Sequence, residues 1–131
     1  MEVFYSQAVV VSRVDLVLQR WDPWCQDNLA ACAGTWRRLW GLQISVGYEG
    51  QDPNSLEQCG AIVPEYPEPE LVDGVLHDPV VKSVLCLGEI VGDRVRFLQT
   101  RRGEPLMISE VQIYGQYQES DWRNPITLGT F

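Results

Sequence analysis

Alternation of apolar and polar residues in four segments is the feature that most constrains the fold of this chain. The segments are residues 9–20, 42–48, 94–100 and 108–115. Side chains of a β-strand point alternately to the two faces of its sheet, so a period of two is typical of a half-buried strand. The predicted inward residues are Val14, Leu16 and Leu18, then Leu42, Ile44 and Val46, then Val95 and Phe97, and finally Val111 and Ile113. The sequence therefore predicts an all-β chain.

Length and composition indicate one globular domain. The chain has 131 residues, of which 45% are hydrophobic and 21% charged, which suits a single core and argues against disorder. Two weaker strand candidates complete the prediction, residues 80–87 and either 3–8 or 124–131. We find no window with a helical period, although residues 27–34 could form one short turn.

The charge distribution excludes one class of partner. The net charge is −8, and residues 51–93 carry nearly all of it, with nine acidic residues and Lys82 as the single base. Binding of nucleic acid requires a basic face that neutralises phosphates. We therefore expect no nucleic-acid partner, and the same reasoning weakens binding to an anionic membrane surface.

The cysteines point to an oxidising compartment. The chain has four Cys residues, no CxxC pair and a single His, His77, so a zinc site is not expected and disulfides are the better interpretation. No apolar run is long enough for a transmembrane segment. Residues 8–11 are too short for the core of a signal peptide, and no charged region precedes them, so we expect no export signal in this sequence. Together these features predict an extracellular or cell-surface protein whose N-terminal part lies outside this sequence.

The connection between the first two predicted strands is unusually rich in tryptophan and arginine. It holds four of the five tryptophans, Trp21, Trp24, Trp36 and Trp40, and three arginines, Arg20, Arg37 and Arg38. One interpretation is a binding loop that projects from a rigid scaffold. The other is a small satellite core beneath a long insertion. The sequence favours core packing for Trp36 and Trp40 and leaves both interpretations open for Trp21 and Trp24.

An ordered set of motifs resembles the F-type lectins, the fucose-binding branch of the discoidin or coagulation-factor C-type domains. The motifs are R-x-D at Arg20 and Asp22, RLWGLQISVG from Arg38 to Gly47, C-G at Cys59 and Gly60, a further cysteine at Cys86, and SEVQIYG at 109–115. The resemblance covers roughly residues 9–115, the C-terminal two-thirds of such a domain. It implies a galactose-binding-like jelly-roll β-sandwich that lacks its N-terminal strands.

This partial coverage has consequences for domain organisation. We expect a partial discoidin-like sandwich over residues 1–115 and a tail over 116–131. Either the chain is a fragment, or another polypeptide covers the edge that the absent strands would leave open. We also expect the tail to dock onto the sandwich, with Trp122, Ile126, Leu128 and Phe131 as its apolar contacts.

The resemblance implies a carbohydrate site. Arg20 and Arg38 match the two arginines of the family's fucose pocket, and Asp22 matches the acidic residue of its R-x-D motif. A guanidinium offers several fixed donors to sugar hydroxyls, and an indole stacks on the apolar face of a sugar, so Trp21 and Trp24 are the candidates for the platform. The family's pocket histidine has no counterpart in this chain, and the loop between the two arginines is enlarged.

A calcium site and two disulfides are also implied. Ser109 and Glu110 occupy the position of the family's last calcium ligands, and the alternative for Glu110 is an ordinary outward residue of a strand. The resemblance implies the pairing Cys59–Cys86, which leaves Cys25–Cys32 to brace the tryptophan-rich insertion.

Two functions follow as expectations. The first is a carbohydrate-binding module of an extracellular protein, with a glycan or glycoprotein as its partner. The second is a structural interaction domain of a larger extracellular or ciliary assembly that has lost the sugar site. We do not expect an enzyme, because a single His provides no Ser/His/Asp or Cys/His set and no carboxylate pair has a catalytic spacing.

Overall fold

The strands in the described residues of this protein form one antiparallel sheet. The computed structural model describes residues 1–17, 39–64, 81–103, 106, 108, 110–117 and 126–131. Its elements are β1 (Glu2–Val17), β2 (Leu42–Gly47), a 3-10 turn (Pro53–Ser55), β3 (Glu57–Gln58), β4 (Val81–Gln99), β5 (Glu110–Tyr117) and β6 (Ile126–Thr130). The strand order is β3-β2-β4-β1-β5-β6. The all-β prediction is confirmed in the described residues.

Two long strands, β1 and β4, connect the half of the sheet that contains β2 and β3 with the half that contains β5 and β6. The C-terminal part of β4, residues 94–99, pairs with β2, and its N-terminal part pairs with the same β1 residues that pair with β5. The predicted strands at 80–87 and 94–100 are therefore parts of one strand. The predicted strand at 9–20 likewise begins earlier and includes the weak candidate at 3–8. The alternation of apolar and polar residues did not predict either continuation, because the register shifts change which residues of a strand point inward.

These register shifts also let the sheet bend. Between Phe4 and Val9, β1 advances five positions while its partner β4 moves only from Arg94 to Gly92. Such extra residues bend a strand and increase its local twist. A Cβ atom added to Gly92 would lie 2.1 Å from the carbonyl oxygen of Gly47, so only glycine permits this approach of β4 to the end of β2.

The bent sheet encloses one apolar core. Buried residues from every strand except β3 belong to a single cluster. It includes all the described residues that were predicted to point inward, namely Val14, Leu16, Leu42, Ile44, Val46, Val95, Phe97, Val111 and Ile113. The predicted faces are therefore confirmed, apart from Leu18, which lies outside the described residues. The disulfide between Cys59 and Cys86 joins the two halves, and Tyr5 meets Phe131 edge-on with ring centroids 6.4 Å apart.

The C-terminal residues belong to the same sheet. β5 continues to Tyr117, and β6 pairs with β5 and places Leu128 in the core. Phe131 exchanges two backbone hydrogen bonds with Val111, at 2.9 and 2.7 Å. The boundary predicted after residue 115 thus falls inside β5, and the described part of the predicted tail is integral to the domain.

Candidate functional site

An open concavity lies where β2 ends and the following loop turns back. Its volume is about 440 Å³, within the range of small-molecule sites. Val46, Gly47 and Val91 line it together with four residues that carry polar groups, Tyr48, Gln51, Ser55 and Glu57. The four come from the loop and from β3, so the shape of the site depends on what fixes this loop.

Gln51 fixes the loop internally. Its Oε1 accepts a hydrogen bond from the backbone N–H of Tyr48, and its Nε2 donates to the carbonyl of Ser55, both at 2.9 Å. Asp52 caps the 3-10 turn by accepting from the N–H of Asn54 at 2.9 Å, which is the usual role of Asp before a proline-led turn. The walls of the concavity are therefore held by side chains as well as by the sheet.

Two residues of β4 attach the loop to the sheet. Asp93 accepts from the backbone N–H of Glu49 at 2.8 Å. Arg94 donates through Nη1 to the carbonyl of Gln51 at 3.0 Å and through Nε and Nη2 to Glu2, the former at 3.0 Å. The side chain of Arg94 is only 11% exposed, although the alternation predicts an outward residue at this position. The hydrogen bonds to Glu2 and to the Gln51 carbonyl satisfy its guanidinium.

Two groups in the concavity are available to a ligand. Tyr48 is 46% exposed. Glu57 is exposed on β3, and within the described part of the chain its carboxylate has neither a hydrogen bond nor an ion pair. Gln51 differs because both ends of its amide already bond within the loop, so its main role is to position the loop.

The electrostatic field around the concavity is negative. Glu49, Asp52, Glu57 and Asp93 all belong to the loop or to its attachment, while Arg94 is neutralised by Glu2. An ionised carboxylate only accepts hydrogen bonds, so the site suits ligands that are rich in donors. It does not suit phosphate, sulfate or carboxylate groups.

A second polar cluster lies on the outer face of β1 and β5. The guanidinium carbon of Arg13 lies 4.1 Å from the ring centroid of Tyr114, and Asp15 Oδ1 lies 3.3 Å from Arg13 Nε. Ser83 Oγ donates to Asp15 at 2.7 Å, and Tyr114 donates to Gln112 Oε1 at 2.8 Å. These contacts engage the polar groups of the cluster with one another, apart from Arg13 Nε, which is buried without a hydrogen-bond partner among the described residues. Because the contacts are mostly internal to the cluster, the concavity is the stronger candidate.

The sugar-binding residues predicted from the sequence lie outside the described residues. This applies to Arg20, Trp21, Asp22, Trp24 and Arg38, and also to Cys25 and Cys32. The described residues on either side of this segment belong to the fold. Val17 ends β1, Leu39 is fully buried, and the guanidinium carbon of Arg101 lies 5.7 Å from the ring centroid of Trp40. The predicted sugar site therefore stays a prediction.

Of the implied calcium ligands, only Glu110 can be placed. It begins β5 opposite Val17 and is partly exposed, as expected of an ordinary strand residue, whereas Ser109 lies outside the described residues. In the described ranges no three His, Cys, Asp or Glu side chains converge as a metal site would require. Calcium binding stays a prediction.

The pairing implied for Cys59 and Cys86 is present. The two Cα atoms are 4.3 Å apart, and the backbone N–H of Cys59 donates to Ile44 at 2.7 Å, which aligns the disulfide with β2. Separately, the described portion of the chain includes no helix of the length and apolarity needed to cross a membrane.

The sequence of residues 47–60 predicts a loop but not the concavity. Its turn formers, including Asp52 and Pro53, predict a polar connection. The concavity also requires Arg94 and Val91, which lie more than thirty residues away in the chain. One feature of the sequence pointed to this contact. The alternation in residues 94–100 places Arg94 on the outward face of its strand without assigning it a partner.

The chain was compared with family models, with curated proteins and with solved structures, and nothing matches it. The functional argument therefore depends on the site itself.

Proposed function

We propose that this domain binds glycans without catalysing a reaction. The observation that supports the proposal is the concavity beside Gly47, where an exposed tyrosine and an unpaired carboxylate lie on a loop fixed by Gln51 and Arg94. An aromatic face stacks on the C–H face of a sugar, and a carboxylate accepts from its hydroxyls. A preformed loop keeps the entropic cost of binding low.

The resemblance to F-type lectins extends this proposal. It adds a discoidin-type jelly roll, an extracellular or cell-surface location, and a second contact region at Arg20, Trp21, Asp22, Trp24 and Arg38. The Cys59–Cys86 disulfide supports the location because disulfides persist in oxidising compartments. In this proposal fucose-type glycans bind at the arginines, calcium binds near Ser109 and Glu110, and the concavity is a separate subsite.

A glycan array tests the proposal. We expect the wild-type protein to bind a defined group of glycans and Tyr48→Ala to weaken that binding at least about tenfold, as loss of a stacking aromatic at the centre of an interface does. Phe4→Ala is the matched control, because Phe4 is 52% exposed on β1 and does not line the concavity.

The two subsites give different patterns on the same array. An Arg20→Ala/Arg38→Ala variant that loses binding while Tyr48→Ala retains it would assign the sugar to the arginines alone. Retention by all variants would contradict both subsites, and failure of the wild-type protein to bind any glycan would contradict the function.

A structural role in a larger assembly is the second candidate, and one observation favours it. Leu85 and Leu87 on β4 are 63% and 83% exposed, and neighbouring exposed leucines are typical of surfaces that contact another protein. Sedimentation velocity of the wild type and of Leu85→Ser/Leu87→Ser tests this role as self-association. We expect association that rises with concentration and is lost in the variant, and a monomer at every concentration would contradict self-association.

A further inference from the structure

We infer that the concavity beside Gly47 selects glycans that carry a protonated amine over neutral ones and rejects anionic glycans. The inference depends on the proposed glycan-binding function and specifies its substrate class. Glu57 and Tyr48 carry it, because they are the acidic and the aromatic residue of the lining.

Glu57 defines the charge that a ligand meets. Its residue is exposed, it lines the concavity, and within the described residues no cation pairs with it. A hydroxyl gives this carboxylate a neutral hydrogen bond, whereas an ammonium gives it a charge-assisted one, which is roughly twice as strong. A carboxylate or sulfate on the ligand would instead face a like charge.

Tyr48 favours the same ligand. The face of a phenol ring attracts a cation as well as the C–H face of a sugar, so one ring can contact both the pyranose and its ammonium. The pairing of an aromatic face with a carboxylate is chemically suited to an amine-bearing polyol.

The surrounding charges do not oppose this selection. Arg94 is a cation that bonds directly to the loop, and its donors are occupied by Glu2 and by the Gln51 carbonyl. Glu49 and Asp93 add negative charge at the rim, joined by the hydrogen bond from the Glu49 backbone to the Asp93 carboxylate. The site therefore has no available guanidinium for an anion among the residues that form it.

The test uses an array that carries free-amine, neutral, sialylated and sulfated glycans, followed by calorimetry with glucosamine and N-acetylglucosamine oligosaccharides of equal length at pH 6. These two probes share a backbone and differ in the amine charge. We expect the glucosamine oligosaccharide to bind about tenfold more tightly than its acetylated form, and Glu57→Gln to abolish that preference.

A charge-matched variant separates local from general electrostatics. Asp15→Asn makes the same change in net charge on β1, outside the concavity, and should leave the preference intact. Amide chemical shifts of the variants report whether each remains folded. Equal effects of the two variants would mean that net charge attracts the amine, and would overturn the inference.

The outcomes distinguish the inference from the function on which it depends. Binding of neutral glycans with no preference for the amine, or tightest binding of sialylated or sulfated glycans, overturns the inference and leaves glycan binding intact. Absence of binding to every glycan class, in a protein with native chemical shifts, overturns both.

Discussion

Arg94 is the residue on which the loop beside the concavity depends most. Its side chain is nearly buried, pairs with Glu2 and donates to the carbonyl of Gln51. Arg94→Ala leaves both acceptors without their donor, and we expect it to lower the free energy of unfolding by about 2–3 kcal/mol, the usual cost of losing hydrogen bonds to a charged group. Urea denaturation at neutral pH measures the change.

Arg96 provides the matched control for that prediction. It lies on the same strand, its Nε is 3.9 Å from the same Glu2 oxygen, and its side chain is more exposed than that of Arg94. Because an exposed ion pair contributes little, Arg96→Ala should cost less than about 1 kcal/mol. Equal losses in the two variants would contradict the importance assigned to the buried contacts of Arg94.

Tyr5 carries a hydroxyl that the fold does not satisfy. The oxygen is buried, and within the described residues it has no hydrogen-bond partner. Because a buried polar group without a partner is unfavourable, Tyr5→Phe should raise the free energy of unfolding by about 0.5–1 kcal/mol. Urea denaturation at pH 7 measures this, and a loss of stability would indicate that the hydroxyl has a partner.

The same residue predicts a dependence on alkaline pH. Burial, with a smaller contribution from Tyr117, raises the pKa of Tyr5 from 10.0 to about 12. Between these values the unfolded chain releases the proton while the folded chain retains it, so stability is present below pH 10 and declines as pH rises towards 12. Thermal unfolding over this range should show a steeper decline for wild type than for Tyr5→Phe.

At the level of elements, the sequence predicted strands well and their continuity poorly. The alternation in β2 and β5 identified their inward residues because each pairs through a nearly regular ladder. In β1 and β4 the register shifts interrupt the period, so each long strand was predicted as separate pieces. The concavity was not predicted for a related reason, because its walls are brought together by pairing between strands that are distant in the sequence.

The Cys59–Cys86 disulfide joins elements that the ladder does not pair. It links the chain after β3 to the N-terminal part of β4, across a sequence separation of 27. The chain-entropy estimate for such a loop is about 3–4 kcal/mol, so Cys59→Ala/Cys86→Ala should lose that much stability in urea. Cys25→Ala/Cys32→Ala is the control, and the pairing predicted for these two residues would close a shorter loop, so we expect a smaller loss.

At the scale of the whole molecule, β6 covers one edge of the described sheet. Leu128 is buried, and Phe131 bonds to Val111 and contacts Tyr5, so deletion of residues 126–131 uncovers the core and the edge of β5. We expect the deletion to cost at least about 3 kcal/mol, as truncation of a buried leucine alone costs 2–5. Thermal unfolding measures it, and Thr127→Ala, at an exposed position of β6, should have little effect.

The path of β1 and β4 makes the domain one cooperative unit. Each strand contributes to both halves of the bent sheet, so neither half can detach without breaking the backbone pairing of the other. Amide protons at Val9–Val11 and Ile90–Gly92 should accordingly exchange with solvent only through global opening, at a common free energy. Limited proteolysis of the folded domain would then release no stable half-domain.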